Sequence, residues 1–376
     1  MRPRERVLCA LRRDEPDRVP YDLTGFNREA YRLFREKTGS DDPDGYFGVE
    51  CDIVNLYFKG TKLDPKERFL RYHDLPAERY ARSLPEKPEA GTFTLNEWGL
   101  ATVVGSNPAY DHFTPPLANA SSLDVIERYP MPDFEAEYRH AHLAGAVRAA
   151  HEKGLAAVGR MAVTVFETAW HIRGFNELLM DFISDEDRAN YLLDRITEKS
   201  IFRAKTYARA GCDIIHIGDD VGMEDRMLMS PATWRKFLKP RLATIIAEAR
   251  KIKPDVLFDY HSDGHVEPIV GDFIEIGIDS LNPVQPECMD PAKLKRKFGT
   301  RLSFWGTVGI QRTMPFGTPA EVEAEVKLRI ETVGKGGGLY LSPTHVLAPE
   351  VPHENIRAFV DAAKKYGRYR AGPAHE

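Results

Sequence analysis

From about residue 150 onward, short apolar runs rich in β-branched and aromatic residues alternate with longer stretches of helical spacing. That alternation is the pattern of repeated βαβ units, and it restricts the chain to architectures built on a parallel sheet. The predicted strands are residues 156–166, 213–217, 256–260, 280–282, 302–305 and 338–341. The predicted helices 231–251, 291–298 and 319–333 open on Pro231, Pro291 and Pro319, which suits a first helical turn because the N–H that proline lacks has no partner there anyway. Two earlier runs, 19–23 and 52–58, bring the strands to a full set. The expectation is a single α/β domain, a (β/α)8 TIM barrel over residues 1–365, with a polar tail at 366–376 that is disordered. An open doubly wound sheet is the alternative, disfavoured because no glycine-rich dinucleotide turn follows an early strand.

Residues 60–135 break the rhythm. They are rich in proline, charge and aromatics, among them Phe93, Trp98, Tyr110 and Phe113, and they predict an irregular excursion over the barrel mouth. Trp98 is a candidate to line a substrate cleft there, with packing as its ordinary role.

Composition narrows the partners. With 42% hydrophobic and 29% charged residues the chain has the make-up of a soluble globular protein, and a net charge of -5 with both signs interspersed leaves no broad basic face for nucleic acid. No apolar run is long enough to cross a bilayer, and the basic opening Met1 to Arg6 is not followed by the apolar core of a signal peptide. The four cysteines are scattered without a CxxC unit, so a reduced, cytoplasmic protein is expected. A homodimer is compatible with all of this.

Chemistry-bearing residues gather where the predicted strands end, which in an α/β barrel is the catalytic face. His261 and Asp263 follow the 256–260 run, with Gly264 allowing a tight turn, and His345 follows the last strand. Imidazole and carboxylate suit zinc, so His261, Asp263 and His345 form a candidate ligand set, with Cys288 as a further candidate. The competing readings are a metal-free polar site, and structural roles in which Asp263 caps a helix. Asp219 and Asp220 follow the 213–217 run, and Glu167 holds the analogous place one strand earlier. Carboxylates this close raise one another's pKa and suit acid–base work, and together with His261 they are the catalytic candidates. Asn282, Gln285 and Gln311 are candidate substrate-binding side chains. No phosphate-binding loop or nucleophile elbow is present.

Ser230-Pro231, Lys239-Pro240-Arg241, His261-Ser262-Asp263-Gly264, Glu275-Ile276-Gly277, Asn282-Pro283-Val284-Gln285, Leu294-Lys295 with Phe298-Gly299, Pro315 to Pro319, and His345 with Val351-Pro352 and Glu354-Asn355 occur in this order. Through them the chain resembles the uroporphyrinogen decarboxylase superfamily along nearly its whole length, and especially its corrinoid-linked methyltransferase branch. The resemblance implies a single (β/α)8 domain. True decarboxylases of the family carry an early Arg-Gln-Ala-Gly-Arg stretch that grips substrate carboxylates. Here Thr24 to Arg28 keeps one arginine, so decarboxylation is the second expectation. Zinc-dependent thiol methyltransferases of the branch use a His-x-Cys pair and a distant cysteine, and His261, Asp263 and His345 occupy those positions. Oxygen and nitrogen ligands make a harder site, one suited to a methoxy or methylamino donor rather than a thiol. The implied activity is methyl transfer between such a compound and the corrinoid of a separate protein. A non-catalytic barrel is a third reading.

Overall fold

The computed structural model describes residues 1–50, 52–84, 89–105 and 111–369. Cys51, Tyr110 and residues 370–376 of the expected tail lie outside the described residues. Ahead of them, Tyr366 ends the helix His353–Tyr366, and the Tyr369 hydroxyl donates to the Gly334 carbonyl at 2.6 Å.

Among the described residues, ten strands form two sheets. The core sheet consists of β1 (Ile53–Leu56), β5 (Ala156–Ala162), β6 (Ile214–Gly218), β7 (Leu257–His261), β8 (Ser280–Asn282), β9 (Ser303–Val308) and β10 (Leu339–Pro343), all parallel and in that order. The remaining strands, β2 (Phe93–Leu95), β3 (Ala101–Val104) and β4 (Asp111–Thr114), make an antiparallel meander. This corrects the expected irregular excursion: the segment carries a sheet of its own. It leaves from the C-terminal end of β1 and returns through the helix Leu143–Glu152, so it sits on the face where the core strands end.

Of the expected barrel, the described residues form a curled parallel sheet of seven strands. Residues 19–23 lie beside β10 but join it by one parallel bridge, Tyr21 to Leu341. Leu341 donates to the Pro20 carbonyl at 2.9 Å and Asp22 donates back to Leu341 at 3.1 Å. Pro20 has no N–H with which to extend a ladder, and Thr24 at φ 61° turns the chain away. The curl itself is strong: the Arg160 guanidinium on β5 lies 5.5 Å over the Trp305 ring on β9, with β6, β7 and β8 between them in the sheet.

Local chemistry explains where elements stop. The run 156–166 ends as a strand at Ala162 because Val163 takes φ 63°, and a helix starts at Phe166. The helix predicted over 231–251 is two, Pro231–Phe237 and Lys239–Arg250, since Pro240 cannot donate within a continuous helix and instead sits in the first turn of the second. Ser230, Asp290 and Thr318 cap the helices that begin with Pro231, Pro291 and Pro319, their side chains accepting from the first-turn N–H groups.

The inner face of the sheet is divided. At its N-terminal end Ile53, Ala156, Val158, Ile214 and Leu257 pack against Val7 and Leu11 of the helix Pro3–Leu11, which plugs that end with apolar side chains. Arg4 and His151 both reach the buried Asp213 carboxylate there, at 2.8 Å. Toward the strand ends the same face becomes polar, with Arg160, His216, Asp259, His261, Ser280 and Asn282 at alternating positions. Dry packing below and polar groups above confine chemistry to one end.

Candidate active site

The sheet register sets the site. Gly218 pairs with His261, and His261 with Asn282, so three neighbouring strands deliver these residues at one level. Gly218 must lack a side chain: a Cβ there would stand 2.3 Å from the His261 carbonyl oxygen. The loops after β6 and β7 meet glycine to glycine. A Cβ on Gly222 would lie 2.5 Å from the Asp263 carbonyl, and one on Gly264, at φ 80°, 2.6 Å from Gly222. This contact draws the two loops together, and the Asp263 N–H donates to Asp220 Oδ1 at 2.8 Å.

The result is a compact group. One ligand atom each from Asp220, His261 and Asp263 lies within 4.8 Å of the others, a cluster that could hold a metal ion. Asn282 fixes the histidine: His261 Nδ1 and Asn282 Oδ1 are 2.6 Å apart, while the Asn282 amide donates to the Trp305 carbonyl. An amide oxygen only accepts, so Nδ1 carries a proton and Nε2 is the ring nitrogen that faces Asp220 Oδ1, 3.6 Å away. Asp263 Oδ1 is buried with no hydrogen-bond partner. A ring nitrogen facing a carboxylate, beside a buried carboxylate oxygen unpartnered among the described residues, is an arrangement that a cation completes once that nitrogen is deprotonated. Burial raises the Asp263 carboxyl, and the neighbouring His261 and His345 oppose the rise.

The other expected site residues fall into two groups. Glu167 stands in the first turn of the helix Phe166–Arg173 and accepts the Asp220 N–H at 3.0 Å. Burial, then the charges of Asp219 and Asp220, push its carboxyl up to about 8. Asp219 is fully buried and turned away from the opening. Its carboxylate accepts the N–H groups of Thr164, Val165 and Glu167, holding the strained turn at Val163 and so placing Glu167. Burial pushes Asp219 up to about 7 against those donors. Gln285 accepts the Gly264 N–H at 2.6 Å from a buried position and braces the loop that carries Asp263.

Some expected residues stand apart from the cluster. His345 is exposed and lies outside the three-residue group, although its charge reaches Asp263. Cys288 lies outside the three-residue group, makes a long contact with Gln285 Oε1 at 3.7 Å, and has its thiol raised to about 11 by burial. Gln311 is exposed, and its backbone N–H donates to Glu287. The Trp98 ring packs on Phe134 at 5.8 Å. His265 and Glu267 turn outward, to the Cys288 carbonyl and to Lys293.

Sequence reasoning missed the layer beneath. His216 Nδ1 lies 2.6 Å from Asp259 Oδ2, fully enclosed, and its ring centroid is 5.8 Å from that of His261. Burial first, then Arg160, lower His216 to about 4, so the imidazole is neutral. The signal was present: Asp259 precedes His261 by two and His216 precedes Gly218 by two, the period that keeps residues on one face of a strand.

The sequence profile described as "Uroporphyrinogen decarboxylase (URO-D)" matches residues 105–366. A methylcobamide:CoM methyltransferase, MtaA of Methanosarcina barkeri, is 34% identical over 184 residues, covering 49% of this chain and 51% of that protein. The chain thus spans about half the length of this relative. The uroporphyrinogen decarboxylase of Actinobacillus succinogenes is 24% identical over 375 residues, 97% of each protein. A methyltransferase from Methanosarcina mazei shares the fold, with a TM-score of 0.62 at 22% identity over 97% of this chain and 99% of that one. Identity is higher over the half shared with MtaA than over the whole length shared with the decarboxylase. With the family profile spanning well over half of the sequence, the chain belongs to the uroporphyrinogen decarboxylase family.

Proposed function

We propose that the protein is a corrinoid-dependent methyltransferase, moving a methyl group between a small methoxy or methylamino compound and a corrinoid carried by a separate protein. The observation that carries this reading is the Asp220, His261 and Asp263 cluster, with its fixed histidine tautomer and unpartnered Asp263 oxygen. Two carboxylates and an imidazole fit zinc. Bound between them, zinc would act as a Lewis acid on the heteroatom that bears the methyl group. The absence of thiolates from the set favours an oxygen or nitrogen ligand over a thiol.

The chain's own residues supply the rest. Asn282 keeps His261 Nε2 aimed at the cluster, and Asp219 holds the turn that presents Glu167. In the donor direction the heteroatom–methyl bond would break as the methyl passed to the partner's reduced corrinoid, which would supply the electron pair of the new bond. The bonding pair stays on the heteroatom and takes the proton held by Glu167. With a divalent cation held by Asp220 and Asp263, two of the charges that raise Glu167 would be offset and its proton would be released more easily. Closure of the curled sheet by residues 19–23 into an eight-stranded barrel belongs to the same reading, as does an opening wide enough for the corrinoid. Free thiols at Cys9, Cys212 and Cys288 suit a cytoplasmic setting.

Decarboxylation of a porphyrinogen is less well supported. Such a substrate bears many carboxylates, whereas among the described residues of the seven core strands Arg160 is the one Lys or Arg, and Arg28 is exposed on a helix. The test begins with metal content after purification without added metal or a histidine tag. About one zinc per chain, lost in His261→Ala, followed by methylation of a reduced corrinoid from a methoxy compound, supports the proposal. No zinc bound or taken up on titration rejects the metal-centred reading.

A further inference from the structure

We infer that the methylated substrate is a carboxylic acid, and that Arg160 is the residue that selects it. The inference deepens the methyltransferase reading and rests on it for the identity of the methyl-bearing end. Arg160 projects from β5 onto the inner face, at the level where β5 pairs with His216 of β6 and β6 with Asp259 of β7. Its Nε donates to Asn55 Oδ1 at 2.8 Å, and its guanidinium lies over the Trp305 ring, whose backbone carbonyl accepts from Asn282. Asn282 in turn holds His261. Arg160 is therefore anchored at Nε and by stacking, within the polar layer that adjoins the cluster.

The two terminal nitrogens are what remain. Among the described residues Arg160 forms no ion pair, although acids surround it. Asp259 is occupied by His216 at 2.6 Å. Asp22, which senses the Arg160 charge, makes no contact with it within ion-pair distance and instead accepts the Thr24 N–H at 2.8 Å. Half-buried arginines are ordinarily paired, so the site holds a planar, preoriented cation whose forked edge is unclaimed among the described residues. A guanidinium fixed through Nε and by stacking presents its two Nη donors side by side, the geometry that takes both oxygens of a carboxylate.

The probe is a matched pair, methoxyacetate and 2-methoxyethanol, which share the methoxy end and differ at the carboxylate. Each is titrated calorimetrically into the zinc-loaded full-length protein without corrinoid, so that binding is read apart from turnover. Methoxyacetate is expected to bind at least about tenfold more tightly, with the preference falling below about twofold in Arg160→Gln. Arg160→Lys, which keeps the charge and loses the fork, is expected to fall between. Asp22→Asn, which removes the nearest opposing charge, is expected to tighten methoxyacetate alone. Unchanged zinc binding in Arg160→Gln verifies that the site is still folded. Equal affinities in the wild-type protein, or a preference that survives Arg160→Gln, overturns the inference. Tighter, Arg160-dependent binding of methyl phosphate overturns the choice of carboxylate. A protein that selects the acid yet transfers no methyl group retains this inference and loses the methyltransferase reading; one that transfers methyl groups without regard to the carboxylate does the reverse.

Discussion

His261 Nδ1 stands 2.6 Å from Asn282 Oδ1, and this contact decides which ring nitrogen is available for chemistry. Because the asparagine oxygen can only accept, Nδ1 keeps a proton and Nε2 is the nitrogen left to face Asp220. Removing the contact in Asn282→Ala frees the ring to rotate and to change tautomer. Zinc affinity is expected to fall by about 10- to 100-fold, the usual effect of losing the partner that orients a ligating histidine. Competition against a fluorescent chelator measures it, and an unchanged affinity would show that Asn282 does not orient the ligand.

The approach of Asp220 and Asp263 depends on two glycines. Gly264 holds φ 80° and its Cβ position is filled by the backbone of Gly222. Gly264→Ala must therefore spread the loops after β6 and β7 as well as strain the turn. A loss of roughly 1–3 kcal/mol in urea unfolding is expected. The same variant should lose zinc affinity, because the Asp263 N–H to Asp220 contact goes with the loop. Loss of stability with zinc binding intact would separate the glycine contact from the site.

His261 and Asp263 were visible in the sequence because they follow an apolar run directly, and Glu167 and Asp220 for the same reason. What could not be read was how the loops fold back. Asp219 and Asp220 are adjacent in sequence, yet one is buried on the N–H groups of the preceding loop and the other faces the cluster. That division follows from the left-handed turn at Val163, and a β-branched residue gives no local warning of such a conformation. His345 looked equivalent to His261 by its place after a strand, but it is exposed and outside the compact group, although its charge reaches Asp263. The strand periodicity carried the α/β class. It could not tell a full strand from the single bridge that residues 19–23 make, because Pro20 and the turn at Thr24 act on pairing rather than on hydrophobicity.

The opposite end of the sheet offers a contrast. Asp213 is buried and accepts from Arg4, His151 and the Ala157 N–H, joining the plugging helix Pro3–Leu11 to β6. Those donors hold its carboxyl below the ordinary carboxylate range in spite of burial. Asp213→Ala leaves the donors unpaired and is expected to lower stability by about 3 kcal/mol. Zinc affinity should not change, since the cluster lies at the other end of the strands. A large change in zinc binding would mean that the two ends are mechanically coupled.

Acid should unfold the protein partly through His216. Its folded pKa is lowered to about 4 by burial, then by the Arg160 charge, against an ordinary value of 6.5. Between those values the unfolded chain binds a proton that the folded chain does not. The stabilisation is therefore complete above about pH 6.5, declines as pH falls toward about 4, and changes no further below it. Over that window the group accounts for roughly 3 kcal/mol. His171, lowered to about 4 by burial, acts with the same sign, whereas Glu167, raised to about 8, acts against both, so the wild-type curve alone does not isolate His216. Comparison with His216→Asn does, because asparagine can still donate to Asp259 and carries no titrating ring. The difference in unfolding free energy between the two proteins should shift in favour of the variant as pH drops from 6.5 to 4. A difference that stays flat across that range would mean that His216 is already protonated in the fold, paired as an imidazolium with Asp259.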